Sequence, residues 1–286
     1  AGTLGLLIPP SIIMIVYGVS AEVSISQLFI AGVLPGLMLA LLFSGYLMVW
    51  ALRHPQLVPP PDRSLSLADK LRESRHLIPV MLLITAVLGS IYAGIATATE
   101  AAALGVLGAL LISAAQGELS WKTFKDSLLG GTRLYCMIAL ILSGAAFLTL
   151  SMGYIGLPRH LAEWIATLGL SQWQLLLALM VFYIVLGCFL DGISMVVLTM
   201  GVILPTVVKA GIDPLWFGIF VVLVVEMAQI TPPVGFNLFV LQGMTKREIG
   251  WIARVTLPFF WLMVAAIGLI YVFPQIVSFL PAQMKT

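Results

Sequence analysis

Ala228-Gln229-Ile230-Thr231-Pro232-Pro233-Val234-Gly235 interrupts a run of apolar residues near the end of the chain, and Gly5-Leu6-Leu7-Ile8-Pro9-Pro10-Ser11 interrupts another at its beginning. A proline inside a helix removes a backbone donor and clashes with the preceding turn. Two in succession must break the helix and leave carbonyls without a helical partner. At membrane depth such carbonyls are tolerated only where protein buries them or where they line a polar cavity. Interrupted segments at corresponding places in two halves of a membrane protein point to a transporter's binding site. The competing reading is a pair of simple proline kinks, and the hairpin pattern in front of the second break weighs against it.

The surrounding composition is that of a membrane protein. Of 286 residues, 61% are hydrophobic and 9% charged, with a mean hydropathy of +1.11, far from a soluble domain of this length. The apolar runs are long, continuous and rich in Leu, Ala, Gly and Met, so they read as helices and not as the alternating strands of a barrel. A net charge of +2 gives no ground for a nucleic-acid partner. Cys136 and Cys188 both lie inside apolar runs and read as buried small hydrophobes, not as a disulfide or metal pair. The chain opens without an initiator Met and already inside a motif, and it is expected to be a fragment whose missing N-terminal part holds the partner of the first break.

Segments of spanning or near-spanning length fall at 1–18 (broken at Pro9-Pro10), 26–52, 77–96, 98–116, 133–152, 172–190 and 255–273. Residues 192–208 and 214–227 are shorter arms joined by Lys209-Ala210-Gly211-Ile212-Asp213-Pro214, a turn that reverses the chain. They predict a re-entrant helical hairpin, followed by a discontinuous helix broken at Pro232-Pro233. Between Arg53 and His76, Pro59-Pro60-Pro61 makes a stiff link and residues 64–72 an interfacial amphipathic helix, whose basic residues place it on the cytoplasmic side. Trp121-Lys122-Thr123-Phe124-Lys125-Asp126 is a second basic cytoplasmic segment. If the amphipathic stretch 156–170 crosses as a short or tilted helix, Lys246 and Arg247 also fall inside and the two broken helices run antiparallel, as an inverted repeat requires.

Freed carbonyls and hydroxyls such as Thr231 are hard oxygen ligands suited to Na⁺, and half-helix ends add favourable dipoles. No cluster of carboxylates accompanies them, which argues against Ca²⁺ and against a relay of several acids. Intramembrane ionisable residues default to functional hypotheses. Glu100 is expected to cap a helix with Thr97 or Thr99; Asp191 is an N-cap or a ligand contact. Glu226 has no capping role, and Lys209 or a residue outside this chain is its expected partner. Asn237 and Gln242 bond either a polar substrate or a neighbouring helix. No phosphate loop, His pair or nucleophile elbow is present, so the chain reads as a non-enzyme without an organic cofactor.

Four ordered stretches, Gly2-Thr3-Leu4-Gly5-Leu6-Leu7-Ile8-Pro9-Pro10-Ser11, Gly94-Ile95-Ala96-Thr97-Ala98-Thr99-Glu100-Ala101-Ala102, Gly211-Ile212-Asp213-Pro214-Leu215-Trp216-Phe217-Gly218 and Thr231-Pro232-Pro233-Val234-Gly235, resemble the large membrane subunit of tripartite ATP-independent periplasmic (TRAP) transporters. The resemblance implies an all-α polytopic membrane protein, an elevator-type Na⁺ symporter with inverted repeats in a bacterial or archaeal inner membrane. It implies import of organic acids delivered by a periplasmic binding protein, and a small four-helix membrane subunit as partner. Residues 1–18 and 172–243, with the hairpin at 192–227 and the break at 231–235, would belong to the transport domain, and 19–171 and 244–286 to the scaffold. One Na⁺ site would use Gly5, Ile8 and Pro10, the other Gly187, Ala228, Thr231 and Val234. The expected substrate contacts are Ser11, Asp191, Ser194, Pro233, Gly235 and Asn237. Ala228 stands where the family often has Gly, and the first hairpin would lie before Ala1. Two other functions are open to the same residues: a structural or assembly subunit without a pathway, and a sodium:anion symporter that needs no binding protein.

Overall fold

The computed structural model describes residues 4–58, 66, 69, 74–232 and 235–284. Most of the expected interfacial segment 64–72, together with Pro233 and Val234, lies outside them. The regular elements among the described residues are all helices, with no strand among them. Five of the helices are long and apolar enough to cross a membrane: α3 (Ile25–Arg53), α5 (Ala98–Ala115), α6 (Trp121–Ile155), α9 (Gly192–Lys209) and α12 (Ile249–Val272). The shorter ones are α1 (Leu4–Leu7), α2 (Ile12–Ala21), α4 (Ile78–Tyr92), α7 (Leu157–Thr167), α8 (Gln172–Leu186), α10 (Pro214–Gln229), α11 (Phe236–Thr245) and α13 (Gln275–Ser278). This is an all-α, multi-pass membrane protein.

The helices fall into two compact units, one of residues 40–129 with 284–286, the other of residues 1–39 with 130–283. In the first unit α4 and α5 pack together, and a Cβ on Gly108 would lie 2.4 Å from Leu83 Cδ1. Thr97 and Glu100 close a capping box at the start of α5: the Thr97 amide donates to Glu100 Oε2 (2.8 Å) and the Glu100 amide to Thr97 Oγ1 (3.3 Å). The capping role expected of Glu100 is therefore the one it has.

The second unit contains both proline breaks. The reversal at 209–214 forms as expected: Gly211 adopts φ +74°, and Asp213 caps α10 through the Leu215 amide (2.6 Å). The hairpin α9–α10 is sheathed by apolar side chains, and every described side chain of α10 from Trp216 to Ala228 is buried. Helix α2 lies against both arms. A Cβ on Gly192 would meet Val225 Cγ1 (2.7 Å) and Ile13 Cδ1 (2.9 Å), while the Tyr17 hydroxyl donates to the Pro214 carbonyl (2.6 Å). As α2 advances from Ile13 to Tyr17, its neighbours on α10 run backwards from Val225 to Pro214. Helices α2 and α10 are thus antiparallel.

Two elements differ from the sequence expectation. Trp121 to Ile155 is one continuous 35-residue helix, and the basic segment 121–126 is its first turns. Ser120 starts it by accepting from the Thr123 amide (3.0 Å), and Gly130-Gly131 weakens but does not stop it, because glycine costs only about 1 kcal/mol in a helix. Helix α7 is 11 residues long, about 16 Å and roughly half a hydrocarbon core, so a full crossing by 156–170 does not follow. Arg159 pairs with Glu163 on its exposed face (2.9 Å), and that hydrogen bond holds the Glu163 carboxyl below its ordinary range, helped by Lys209. Lys209 therefore faces α7 and is not the partner of Glu226.

Candidate functional site

Helix α10 ends where it does because Pro232 has no amide to continue the ladder. The last turn tightens instead: Ile230 donates to Met227 O (3.1 Å) and Thr231 to Ala228 O (3.2 Å). The Thr231 hydroxyl donates to Met227 O (2.6 Å). Beyond the break the chain returns against itself. A Cβ on the buried Gly235 would lie 2.8 Å from Thr231 O and 3.0 Å from Gln229 O, so these two carbonyls converge on a position that only glycine fits. The Asn237 side-chain amide donates to Gln229 Oε1 (3.1 Å), spanning the break.

The end of α8 closes this region from the side. A Cβ on Gly187 would lie 2.3 Å from Ala228 Cβ, so Gly187 and Ala228 are in direct contact. Cys188 Sγ approaches Pro232 O (3.8 Å) and Ile184 O (3.4 Å). Helix α9 begins alongside, capped by Asp191, whose Oδ2 accepts from the Ile193 and Ser194 amides (3.0 and 3.2 Å) and whose Oδ1 accepts from the Ser194 hydroxyl. The result is a cluster of helix ends. The C-termini of α8 and α10 present carbonyl oxygens, and the N-termini of α2, α9 and α11 present positive dipole ends.

The first break is built similarly. Ile8 donates to Leu4 O (2.8 Å), closing the single turn of α1, and the buried Ser11 caps α2. The Ser11 hydroxyl also donates to Leu6 O. Leu7 and Pro9 are buried, while Gly5, Ile8 and Pro10 lie on the exposed side of the break. A Cβ on Gly32 of α3 would sit 2.9 Å from Leu7 O, which requires glycine there for the close approach.

Of the residues expected at the second cation site, Gly187, Ala228 and Thr231 come together, and Val234 lies outside the described residues. Gly5, Ile8 and Pro10 form one contiguous stretch. Among the expected substrate contacts, Ser11 and Asp191 cap helices, Ser194 bonds the Asp191 carboxylate, Gly235 receives two carbonyls and Asn237 bonds Gln229; Pro233 lies outside the described residues. Gln229 was missed by sequence reasoning. Its signal is a polar residue one turn before a Pro-Pro pair, but its pairing with Asn237 across the break has no signature in spacing. Among the described residues no group of three His, Cys, Asp or Glu side chains gathers to hold a metal. The oxygens on offer are carbonyls and hydroxyls, which suit a hard, weakly hydrated cation or a hydrogen-bonding solute.

Residues 1–276 match the family described as tripartite ATP-independent periplasmic transporter, DctM component. The chain belongs to this family. It is 35% identical over 283 residues to the C4-dicarboxylate TRAP transporter large permease protein DctM of Pseudomonas aeruginosa, covering 99% of this chain and 64% of that protein. It is 33% identical to the ectoine/5-hydroxyectoine TRAP transporter large permease protein UehC of Ruegeria pomeroyi, covering 98% of this chain and 65% of the relative. It is also 33% identical to the isethionate TRAP transporter permease protein DctMQ of Oleidesulfovibrio alaskensis, covering 98% of this chain and 44% of that protein. The chain therefore spans just under two thirds of the length of the first two relatives and under half of the third.

Proposed function

We propose that this chain is part of the permease of a Na⁺-coupled, binding-protein-dependent importer of organic acids. The observation that carries the reading is the convergence of the Gln229 and Thr231 carbonyls on Gly235, beside the contact of Gly187 with Ala228. That arrangement supplies backbone oxygens at a helix C-terminus, where the dipole favours a cation. Family membership supplies the transport context. The names of the relatives, which specify C4-dicarboxylate, isethionate and ectoine, indicate a class of small polar organic solutes and no single substrate for this chain. By the same analogy a periplasmic binding protein delivers the solute, and a small membrane subunit completes the permease in the inner membrane.

Mechanistically, an organic anion entering the cell moves against the inside-negative potential. Each co-transported Na⁺ contributes about 2.3 kcal/mol per 100 mV, so more cations than anionic charges make uptake favourable. In the elevator reading, residues 1–18 and 172–243 move as one transport domain and 19–171 and 244–286 act as scaffold. The Na⁺ contacts are Gly5, Ile8 and Pro10 at one break and Gly187, Ala228, Thr231 and Val234 at the other. Asp191 contributes the capped N-terminus of α9, and Ser11 that of α2, as dipole ends facing a carboxylate.

The test is Thr231→Leu in the full-length permease, assayed for Na⁺-stimulated solute uptake into proteoliposomes with its binding protein. The expected result is a loss of at least about tenfold in Na⁺-stimulated uptake, because removing one ligand hydroxyl and adding bulk costs about 1.4 kcal/mol or more of site affinity. Unchanged Na⁺-stimulated uptake contradicts the site assignment. Full uptake with the binding protein omitted favours a symporter that needs no such partner.

A further inference from the structure

Gln229 is the last residue of α10, and its side chain reaches two other elements. Its Oε1 accepts from the Asn237 side-chain amide on α11 (3.1 Å), and its Nε2 lies over the first residue of α9, where a Cβ on Gly192 would come within 3.1 Å of it. Three helix ends thus meet at one amide, and the bare backbone of Gly192 leaves room for it. The hydrogen bond also decides which way Asn237 is turned, because its nitrogen is committed to Gln229 and its oxygen is not. Among the described residues neither Gln229 Nε2 nor Asn237 Oδ1 has a hydrogen-bond partner, and both side chains are half-buried. The clasped pair of amides therefore keeps one donor group and one acceptor open.

Polar atoms left open at a break inside a membrane protein are costly unless they line a polar cavity, so this edge of the break faces water or solute and not lipid. Resting on the organic-acid reading above, we infer that Gln229, clasped to Asn237 across the second break, is a solute-recognition residue for acids that carry a hydroxyl beside the acid group. Gln229 Nε2 donates to an oxygen of the acid, and Asn237 Oδ1, held in that orientation by the clasp, accepts from the hydroxyl. The two roles separate: the donor serves any acid, whereas the oriented acceptor distinguishes a hydroxylated acid from one without the hydroxyl. Gln229 also contributes its backbone oxygen to the convergence on Gly235, so one residue turns its carbonyl to the cation side of the break and its amide to the solute side.

The experiment titrates the thermal unfolding midpoint of the full-length permease in lipid nanodiscs, at saturating Na⁺, with two pairs of probes matched in charge: L-malate against succinate, and isethionate against ethanesulfonate. The wild type is expected to respond to at least one hydroxylated probe at a concentration about tenfold or more below that of its unsubstituted partner, since a site built to bond a hydroxyl is left unpaired by an analogue that lacks it. Gln229→Glu keeps the oxygen that accepts from Asn237 and loses the donor. Its unfolding without solute is expected to stay close to that of the parent, while both members of the pair weaken by about ten- to a hundredfold, the loss of a hydrogen bond to a charged group. A clasp that is only structural leaves the solute response of Gln229→Glu unchanged. Gln229→Met releases Asn237, and the preference for the hydroxylated probe is expected to fall to within about twofold. Equal wild-type responses to both members of each pair, a Gln229→Glu response within about twofold of the parent, or a preference retained in Gln229→Met overturns the inference and leaves the organic-acid reading standing. No response to any of the four probes overturns that reading itself. If Gln229→Glu does not fold, Gln229→Asn, which withdraws the amide by one methylene, decides: a several-fold weakening supports the inference and an unchanged response removes it.

Discussion

Gly187→Ala tests whether the end of α8 is locked against the second break. The Gly187 backbone sits at φ −69° and ψ −9°, which alanine adopts freely, so any cost is steric. An added Cβ would lie 2.3 Å from Ala228 Cβ, 1.1 Å inside the 3.4 Å at which ordinary contact begins (3.4 − 2.3). Both carbons are fixed to backbone and neither can rotate away; Met195 Sδ and Tyr183 O, each at 3.2 Å, close the other directions. Relief requires the two helix ends to separate, which places the cost at about 2–3 kcal/mol, the upper part of the range for overpacking. Ala228→Gly alone costs about 1–2 kcal/mol, from helix propensity and a methyl-sized void. In the double variant the methyl group merely changes sides, so the total is expected to be about 2 kcal/mol less than the sum of the two single effects. Reversible unfolding of the four proteins in mixed micelles, followed by tryptophan fluorescence, gives the cycle. Additivity within about 0.5 kcal/mol would show that the two positions do not touch and would refute the reasoning.

Two further outcomes are expected. Asp191→Ala destabilises the protein by about 1–2 kcal/mol through loss of the α9 cap, whereas Asp191→Asn, which still accepts from the Ile193 and Ser194 amides, retains most of that stability; equal losses in both variants, measured by thermal unfolding, would show that charge and not capping is what Asp191 contributes. Thr97→Ala costs about 1 kcal/mol at the start of α5 while Glu100→Gln costs a few tenths, because Gln serves in a capping box; hydrogen exchange of the α5 amides reads both, and a Glu100→Gln effect as large as that of Thr97→Ala contradicts the capping assignment.

The membrane architecture was largely legible because it depends on local composition. Proline pairs stop helices wherever they occur, and the Gly211–Pro214 turn, the Thr97–Glu100 box and the Asp191 cap are all written in residues within four positions of one another. Longer-range features were not. The charged start of α6 reads as a separate surface segment, since Lys122, Lys125 and Asp126 are polar, yet nothing between them and Leu134 breaks the helix. The length of α7 is set by Gly156 and by the turn after Thr167, and its amphipathic pattern alone does not say whether it crosses. Gln229 was overlooked because its partner, Asn237, lies on the far side of a break whose return path is a tertiary fact.

Sequence by itself determined that the chain is helical, membrane-embedded and twice interrupted, because apolar length and proline chemistry act locally. Tertiary structure alone decided which groups meet at the second interruption: Gln229 O and Thr231 O at Gly235, Ala228 against Gly187, and the Asn237 amide on Gln229. The physical reason is that these contacts depend on a fold that joins segments up to 197 positions apart in the chain, Tyr17 and Pro214, through the antiparallel packing of α2 against the hairpin, which no local propensity encodes.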